Sequence, residues 1–292
     1  MSDSKLAYAY LLLTIILWSG TPAAAKIALG ELNDFQLLLY ANLVGLISLS
    51  FAVLIQKKLH HFLEYKKSDY VKMFFMGVLG LFLYYVFLYE SFTLAPAGQA
   101  NIINYLWPIF VVIFSILLLK EKFNLKTITA ILLSFFGALL IFTQGDLAAF
   151  ANEYTFGYML AAAAAVCYGL FSVLGKKVHF ESYTSMLVYY LSSMIPVIVA
   201  VYLLGGIVLP AKIETIAAVI FLGGFANSLA FVFWFKALEL GHTHRMANGV
   251  YAVPFLALAW TYLLNNEAIS IISIAALVII VSGILIQYKN KG

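Results

Sequence analysis

Polar residues are sparse along this chain and gather in short clusters. Between them the apolar positions form ten blocks, at approximately 6–29, 34–56, 70–93, 98–119, 126–143, 155–175, 184–205, 215–238, 246–264 and 270–288. Each block is close to the roughly 20 residues that a helix needs to cross a bilayer. None shows the ~10-residue alternation of a membrane β-strand. In hydrocarbon the backbone must hydrogen-bond within its own segment, so the blocks predict an all-α integral membrane protein of ten transmembrane helices. The first block has only Lys5 ahead of it, contains Trp18 and runs past Ala23-Ala24-Ala25 to Leu29. It reads as an uncleaved first span and not as a removable leader.

The second pattern is a repeat. Pro108, Glu121 and Gly137 recur as Pro254, Glu267 and Gly283, and Gly77/Gly223 and Tyr105/Tyr251 keep the same displacement of 146 positions. Between 89–144 and 235–290, 10 of 56 aligned pairs are identical. A duplication in so apolar a chain predicts two repeats, residues 1–145 and 146–292, of five helices each within one integrated membrane domain. An odd number of crossings makes the second repeat enter from the opposite side. The halves are then inverted about an axis in the membrane plane, the arrangement that supports alternating access.

Composition fixes the solvent. The chain is 64% apolar and 10% charged, with a mean hydropathy of +0.99; a soluble protein carries roughly 45–50% and about 25%. The net charge of +4 does not point to nucleic acid, because the basic residues are spread over short loops and form no patch. With a cytoplasmic N-terminus, fourteen Lys or Arg residues fall on the cytoplasmic side and only Lys26 and Lys212 outside, with Lys236 ambiguous inside the eighth block. That bias orients a multi-pass protein of the cell membrane with both termini cytoplasmic. Cys167 stands alone, which excludes an internal disulfide and a multi-cysteine metal site. His242 and His244 have no third ligand near them, and His60 and His61 lie in another predicted loop, so no metal is expected. Phosphate-binding, H-E-x-x-H and G-x-S-x-G motifs are absent. No cofactor, ATP-driven step or enzymatic activity is expected. The expected partners are lipid and a small-molecule substrate. One chain holds both repeats, so a monomer suffices; Ala161–Ala165 offers a small-residue surface that leaves a homo-oligomer open.

Candidate functional residues are polar or aromatic positions inside the blocks. Asn101, Asn104, Tyr105 and Pro108 fall at i, i+3, i+4 and i+7 on one helical face. Pro108 cannot bond to the carbonyl of Asn104 and bends the helix. A polar stripe of this kind either lines a wet cavity or ties helices together. Asn248, Tyr251 and Phe255, with Pro254, repeat the idea in the ninth block. Pro108 and Pro254 are the expected hinges. In the eighth block Asn227, Phe231 and Trp234 follow Gly223-Gly224; in the third, Tyr84 and Tyr85 follow Gly77 and Gly80. The glycines are read as sites of close helix packing, and Tyr84, Asn227 and Trp234 as cavity residues. Trp18 and Ser19 in the first block, and Tyr168 and Ser172 in the sixth, pair an aromatic face with a hydroxyl, which suits an organic substrate. Glu90 is the one candidate for proton or cation coupling, although it and Lys236 lie close enough to helix ends to snorkel. Glu121 and Glu267 each precede the next block by a few residues, where a carboxylate favours a helix N-terminus.

Ten spans, Trp18-Ser19 in the first and the paired Pro…Glu…Gly resemble the EamA family of the drug/metabolite transporter superfamily over nearly the whole chain. Asn104-Tyr105-Leu106-Trp107-Pro108 together with Trp18-Ser19 is similar to the YddG-type aromatic amino-acid exporters of that superfamily. The resemblance implies a basket of helices around a central cavity, and export of amino acids or similar metabolites. The expectation is a secondary transporter of small organic metabolites, foremost amino acids. An exporter of drugs or lipophilic cations, which would use Glu90, is the first alternative; a channel or a non-transporting scaffold fits the sparse polar residues and the broken repeats less well.

Overall fold

The structure, a computed structural model, describes residues 3–120, 125–143, 145, 152–178, 180–240, 250 and 252–288. All regular structure among them is helical. In chain order the helices are α1 (Asp3–Ser19), α2 (Thr21–Leu29), α3 (Asp34–Ile55), α4 (Lys67–Gly77), α5 (Tyr84–Leu94), α6 (Ala97–Asn104), α7 (Trp107–Leu119), α8 (Leu125–Phe142), α9 (Thr155–Lys177), α10 (Ser182–Leu204), α11 (Ile213–Ile220), α12 (Ala230–Leu240), α13 (Val253–Asn265) and α14 (Ile271–Tyr288). π-helical stretches, Val78–Leu83 and Phe221–Leu229, join α4 to α5 and α11 to α12.

Among the described residues, seven helical stretches, from Lys5–Leu29 to Ile213–Trp234, are long and apolar enough to cross a membrane, and shorter apolar helices accompany them. Large apolar side chains such as Ile47, Leu203 and Ile271 are exposed on the outside, as a surface facing lipid requires. Three helices recur at the displacement found in the sequence: α5, α7 and α8 plus 146 give the bounds of α12, α13 and α14. The left-handed C-caps recur as well, Lys120 (φ 55) after α7 and Asn266 (φ 57) after α13.

Two predicted spans are broken where the sequence implied continuity. The first divides at Gly20, and the fourth divides at Tyr105–Leu106 into α6 and α7. Pro22 and Pro108 sit in the first turns of α2 and α7. Proline is tolerated there because those N–H groups have no intrahelical acceptor. Pro108 therefore starts a second helix instead of bending one. Pro254 holds the same place in α13.

Packing follows from small residues and a few buried polar contacts. A Cβ on Gly77 would lie 2.4 Å from the Tyr189 carbonyl of α10, and one on Gly223 2.4 Å from the Ala41 carbonyl of α3. Both glycines bring one backbone onto another. Asn42 of α3 donates to Ser193 Oγ of α10 at 2.8 Å. Helices α8 and α14 cross where a Cβ on Gly137 would meet Ile280 Cγ1 at 2.7 Å and the Ala276 carbonyl at 2.8 Å.

The two ends of the bundle are fastened differently. At one, Lys58 meets Glu181 at 2.7 Å and the Tyr65 and Thr184 hydroxyls are 2.6 Å apart. Burial alone would raise the Glu181 carboxyl; Lys58 and the bonds from Thr184 outweigh it and hold it below its normal range. At the other end, Glu31 accepts the Ala211 N–H at 2.7 Å and the Lys212 N–H at 3.3 Å. Lys26 Nζ donates there to the carbonyls of Phe92 and Ala95.

Two outcomes are expected. Gly77→Ala and Gly223→Ala should each lower the thermal midpoint in detergent, with a cost of about 1–3 kcal/mol from overpacking. Since the Glu181 carboxyl is depressed in the folded state, its stabilisation is present above the ordinary carboxylate value of about 4.3 and is lost as pH falls below it. Glu181→Gln should cost about 1 kcal/mol at neutral pH and flatten the melting-temperature profile in that acid window.

Candidate functional site

The helix breaks lie around one interior chamber of about 60 Å³. Its aromatic wall comes from Trp18, Tyr84, Tyr105, Trp107, Tyr168 and Phe231, and its polar side chains include Asn101, Asn104 and Asn227. The rings pack on one another, Tyr84 with Tyr168 at 5.0 Å, Trp107 edge-on to Tyr168 at 5.1 Å and Trp18 edge-on to Phe231 at 5.3 Å. Trp18 Nε1 donates to the Ala226 carbonyl at 3.1 Å, inside a π-helical stretch where the wide turn leaves carbonyls open to side-chain donors. Ligand pockets usually run to roughly 300–1,000 Å³, so this chamber is contracted.

The asparagines divide into satisfied and unsatisfied atoms. Asn227 Nδ2 donates to Tyr89 Oη at 3.4 Å, and the Asn227 carbonyl accepts from Tyr190 Oη at 2.7 Å. Asn104 Nδ2 donates to Tyr84 Oη at 3.2 Å. Asn101 Nδ2 and Asn104 Oδ1 have no partner, although the two residues are only 4% and 3% exposed. An orphaned buried polar atom costs about 1–3 kcal/mol. One donor and one acceptor thus stand ready for a ligand on the wall of α6, and no charged side chain lines the chamber among the described residues.

A second chamber of about 260 Å³ continues from Tyr168 and Phe231 past Ser172, Trp234 and Ser185 to Val178, Phe180 and Ser182. It runs toward the end fastened by Lys58 and Glu181. Ser172 Oγ donates to the Tyr168 carbonyl at 2.7 Å, so its hydroxyl oxygen faces the chamber with only its acceptor capacity in hand.

Seven of the residues singled out in the sequence meet at the first chamber: Trp18, Tyr84, Asn101, Asn104, Tyr105, Tyr168 and Asn227. Ser172 and Trp234 line the second. Ser19 lines neither, contrary to expectation: fully buried, it donates to the Ile16 carbonyl at 2.9 Å and accepts from Trp260 Nε1 at 3.1 Å. Adjacent residues on a helix point about 100° apart; here Trp18 faces the chamber and Ser19 turns to Trp260. Glu90 is also outside both chambers and interacts with Thr93 of its own turn. Asn248, Tyr251, Glu121, His242 and His244 lie outside the described residues. Glu267 does not serve the helix that follows it. Its carboxylate accepts the N–H groups of Ala97 at 2.8 Å and Gly98 at 3.0 Å, at the start of the distant α6. His60, His61 and Glu64 bring ligand-type atoms within 4.8 Å of one another in an exposed turn, but they line neither chamber.

The sequence reading did not assign Tyr85, Leu88 or Trp107 to the wall. In an unbroken helix Trp107 would lie well off the face of Asn101 and Asn104; the break at Tyr105–Leu106 turns it inward. The signal was present in Pro108, read as a break instead of a bend.

Apolar helices with an apolar outer belt, broken around an interior chamber, define a multi-pass membrane transporter. The chain belongs to the EamA-like transporter family, whose model matches residues 5–143 and again 155–288. It is 27% identical over 261 residues to an uncharacterized transporter of Archaeoglobus fulgidus, covering 88% of this chain and 89% of that one. It is 25% identical over 288 residues to the uncharacterized transporter YoaV of Bacillus subtilis, covering 93% of each. The aromatic amino acid exporter YddG of Ancylobacter novellus is 33% identical over 102 residues, 35% of this chain and 36% of that one. A solved crystal structure of a protein with 25% identity superposes with a TM-score of 0.71 over 100% of this chain and 99% of its own.

If the orphaned amide is kept for a ligand, Asn101→Leu should raise the thermal stability of the ligand-free protein by about 1 kcal/mol. The same variant should lose any protection by substrate, read in one melting series with and without candidate solutes.

Proposed function

We propose that this protein is a secondary transporter that exports neutral amino acids, aromatic ones foremost, by alternating access. The observation that carries the reading is the chamber itself: aromatic walls, an unpartnered donor and acceptor on adjacent asparagines, and no formal charge among the described lining residues. A zwitterion needs opposite partial charges near each other and no net counter-charge. The break between α6 and α7 supplies them, because the negative end of one helix dipole faces the positive end of the next beside Asn104 and Trp107. Pro22 opens α2 at a second such break, beside Trp18 and Thr21. The rings receive an apolar side chain by stacking and edge contacts. The name of the Ancylobacter relative supports the substrate class and the outward direction.

In this reading the chain has ten spans in two inverted five-helix halves, residues 1–145 and 146–292, with both termini cytoplasmic. Supporting it are the displacement of 146 shared by motifs, helix bounds and left-handed caps, two successive matches to the family model and the bias of basic residues. The end that holds Glu267 and Lys26 is then extracellular and shut, and the larger chamber at the Lys58–Glu181 end faces the cytoplasm. Pro108 and Pro254 mark the starts of the helices that swing between states.

A proton-coupled exporter of drugs or lipophilic cations is less well served. It calls for a carboxylate on the wall, and Glu90 lies outside both chambers.

Counterflow in proteoliposomes tests the proposal. Vesicles preloaded with mixed amino acids should take up labelled aromatic or other neutral species without a pH gradient. Asn101→Leu and Asn104→Leu should each reduce exchange by about tenfold or more, because the site then cannot pair the substrate's polar groups. Uptake of a lipophilic cation driven only by a gradient, with no amino-acid exchange, would overturn the reading.

A further inference from the structure

The contact between Glu267 and α6 is not accounted for by the chamber. Glu267 follows α13, in the second stretch matched by the family model, whereas Ala97 and Gly98 open α6 in the first. One carboxylate oxygen takes the Ala97 N–H at 2.8 Å and the other the Gly98 N–H at 3.0 Å. These amides belong to the first turn of α6, where no intrahelical carbonyl is available to them, and the positive end of the dipole adds to the attraction. Among the described residues no basic side chain pairs with Glu267. Beside the contact the helices touch without clearance, since a Cβ on Gly98 would lie 2.8 Å from Thr261 Oγ1 and 2.9 Å from Leu258 Cδ2. Helix α6 has only eight residues and is cut from α7 at Tyr105–Leu106, so it can shift as a unit. Asn101 and Asn104 lie about one and two turns beyond the clamped amides, at 1.5 Å of rise per residue.

We infer that Glu267 is the latch of the chamber. Its carboxylate holds the start of α6 against α13 in the state closed at that end, and opening there requires both amides to be released to water. Because α6 carries the orphaned atoms of Asn101 and Asn104, releasing the latch also moves the polar wall, and Glu267 is a positioning residue for the substrate without touching it. A carboxylate fits this task because the contacts are charge-assisted while closed, and it is readily rehydrated at the surface when open. The latch rests on the alternating-access reading, but its test does not use substrate.

A single reporter cysteine at Thr21, in a Cys167→Ser background, is labelled by a membrane-impermeant thiol reagent applied separately to each side of sealed vesicles. Glu267→Gln keeps the size of the side chain but leaves one amide without an acceptor. The loss of one charge-assisted bond should raise labelling from the Glu267 side about tenfold by shifting the population toward the open state, with the rate from the opposite side unchanged or lower. Glu267→Asp, which keeps the charge but cannot span both amides, should give an intermediate rate, and it serves as the reading if the glutamine variant does not assemble. An unchanged rate from the Glu267 side, or an equal rise from both sides that marks general loosening, overturns the latch. Raised one-sided labelling without any amino-acid exchange would refute the substrate proposal and leave the latch standing; intact exchange with unchanged labelling would do the reverse.

Discussion

Hydrocarbon offers no hydrogen bonds, so each interruption of a membrane helix must be repaired by protein, by water or by a ligand. Most of this architecture follows from where the chain places its interruptions. The breaks at Gly20 and at Tyr105–Leu106 and the π-helical stretches Val78–Leu83 and Phe221–Leu229 all adjoin one interior space. The repairs are individually visible. The Ala226 carbonyl receives Trp18 and the Asn227 carbonyl receives Tyr190. The outer belt is left with unbroken helix facing lipid.

That concentration explains how the chamber is polar without being charged. A buried ion costs several kcal/mol that a partner must return, and a carrier that shuttles while empty would bear this cost on every return. Dipoles at helix ends and asparagine amides are cheaper to enclose. The chamber is therefore as small as about 60 Å³, and among its described lining residues Asn101 Nδ2 and Asn104 Oδ1 are buried without partners. The aromatic rings complete the closure by packing against one another.

The block pattern carried most of the fold, because spans are set by a length and a composition that can be counted. Helix bounds agree with the blocks to within three residues wherever both are described. Gly77 and Gly223 were legible as packing sites for the same reason: a helix facing lipid gains nothing from glycine unless another backbone approaches. The chamber was legible in part. Asn101 and Asn104 share a face of one helix, and short-range periodicity finds such a face. It fails at a break, which re-aims everything after it, so Trp107 was missed and Ser19 was assigned to a wall that it supports from behind. Nor could it reach contacts between distant segments: the spacing of Glu267 pointed to the next helix, whereas its partners are about 170 positions away.

The fastenings differ in kind from one helix pair to the next. Helices α3 and α10 are tied to each other along their length. Asn42 bonds to Ser193 in the middle, Lys58 and Glu181 join just beyond α3 and before α10, and Gln36 and Tyr40 donate to the carbonyls of Gly206 and Val208 at the opposite end. Helices α8 and α14 are likewise clasped backbone to backbone through Gly137. A pair held at several levels cannot tilt without breaking several contacts together. Helix α6 has contacts of another kind. Its start is held by one carboxylate, its end is free of α7, and Gln99 accepts from Tyr158 of α9 on its flank. Helix α13 is held in the same way by side chains, Trp260 donating to Ser19 and Asn265 to the Ala23 carbonyl. In the proposed cycle α6 and α13 are the moving pair, and the helix breaks beside them sit where the substrate would bind.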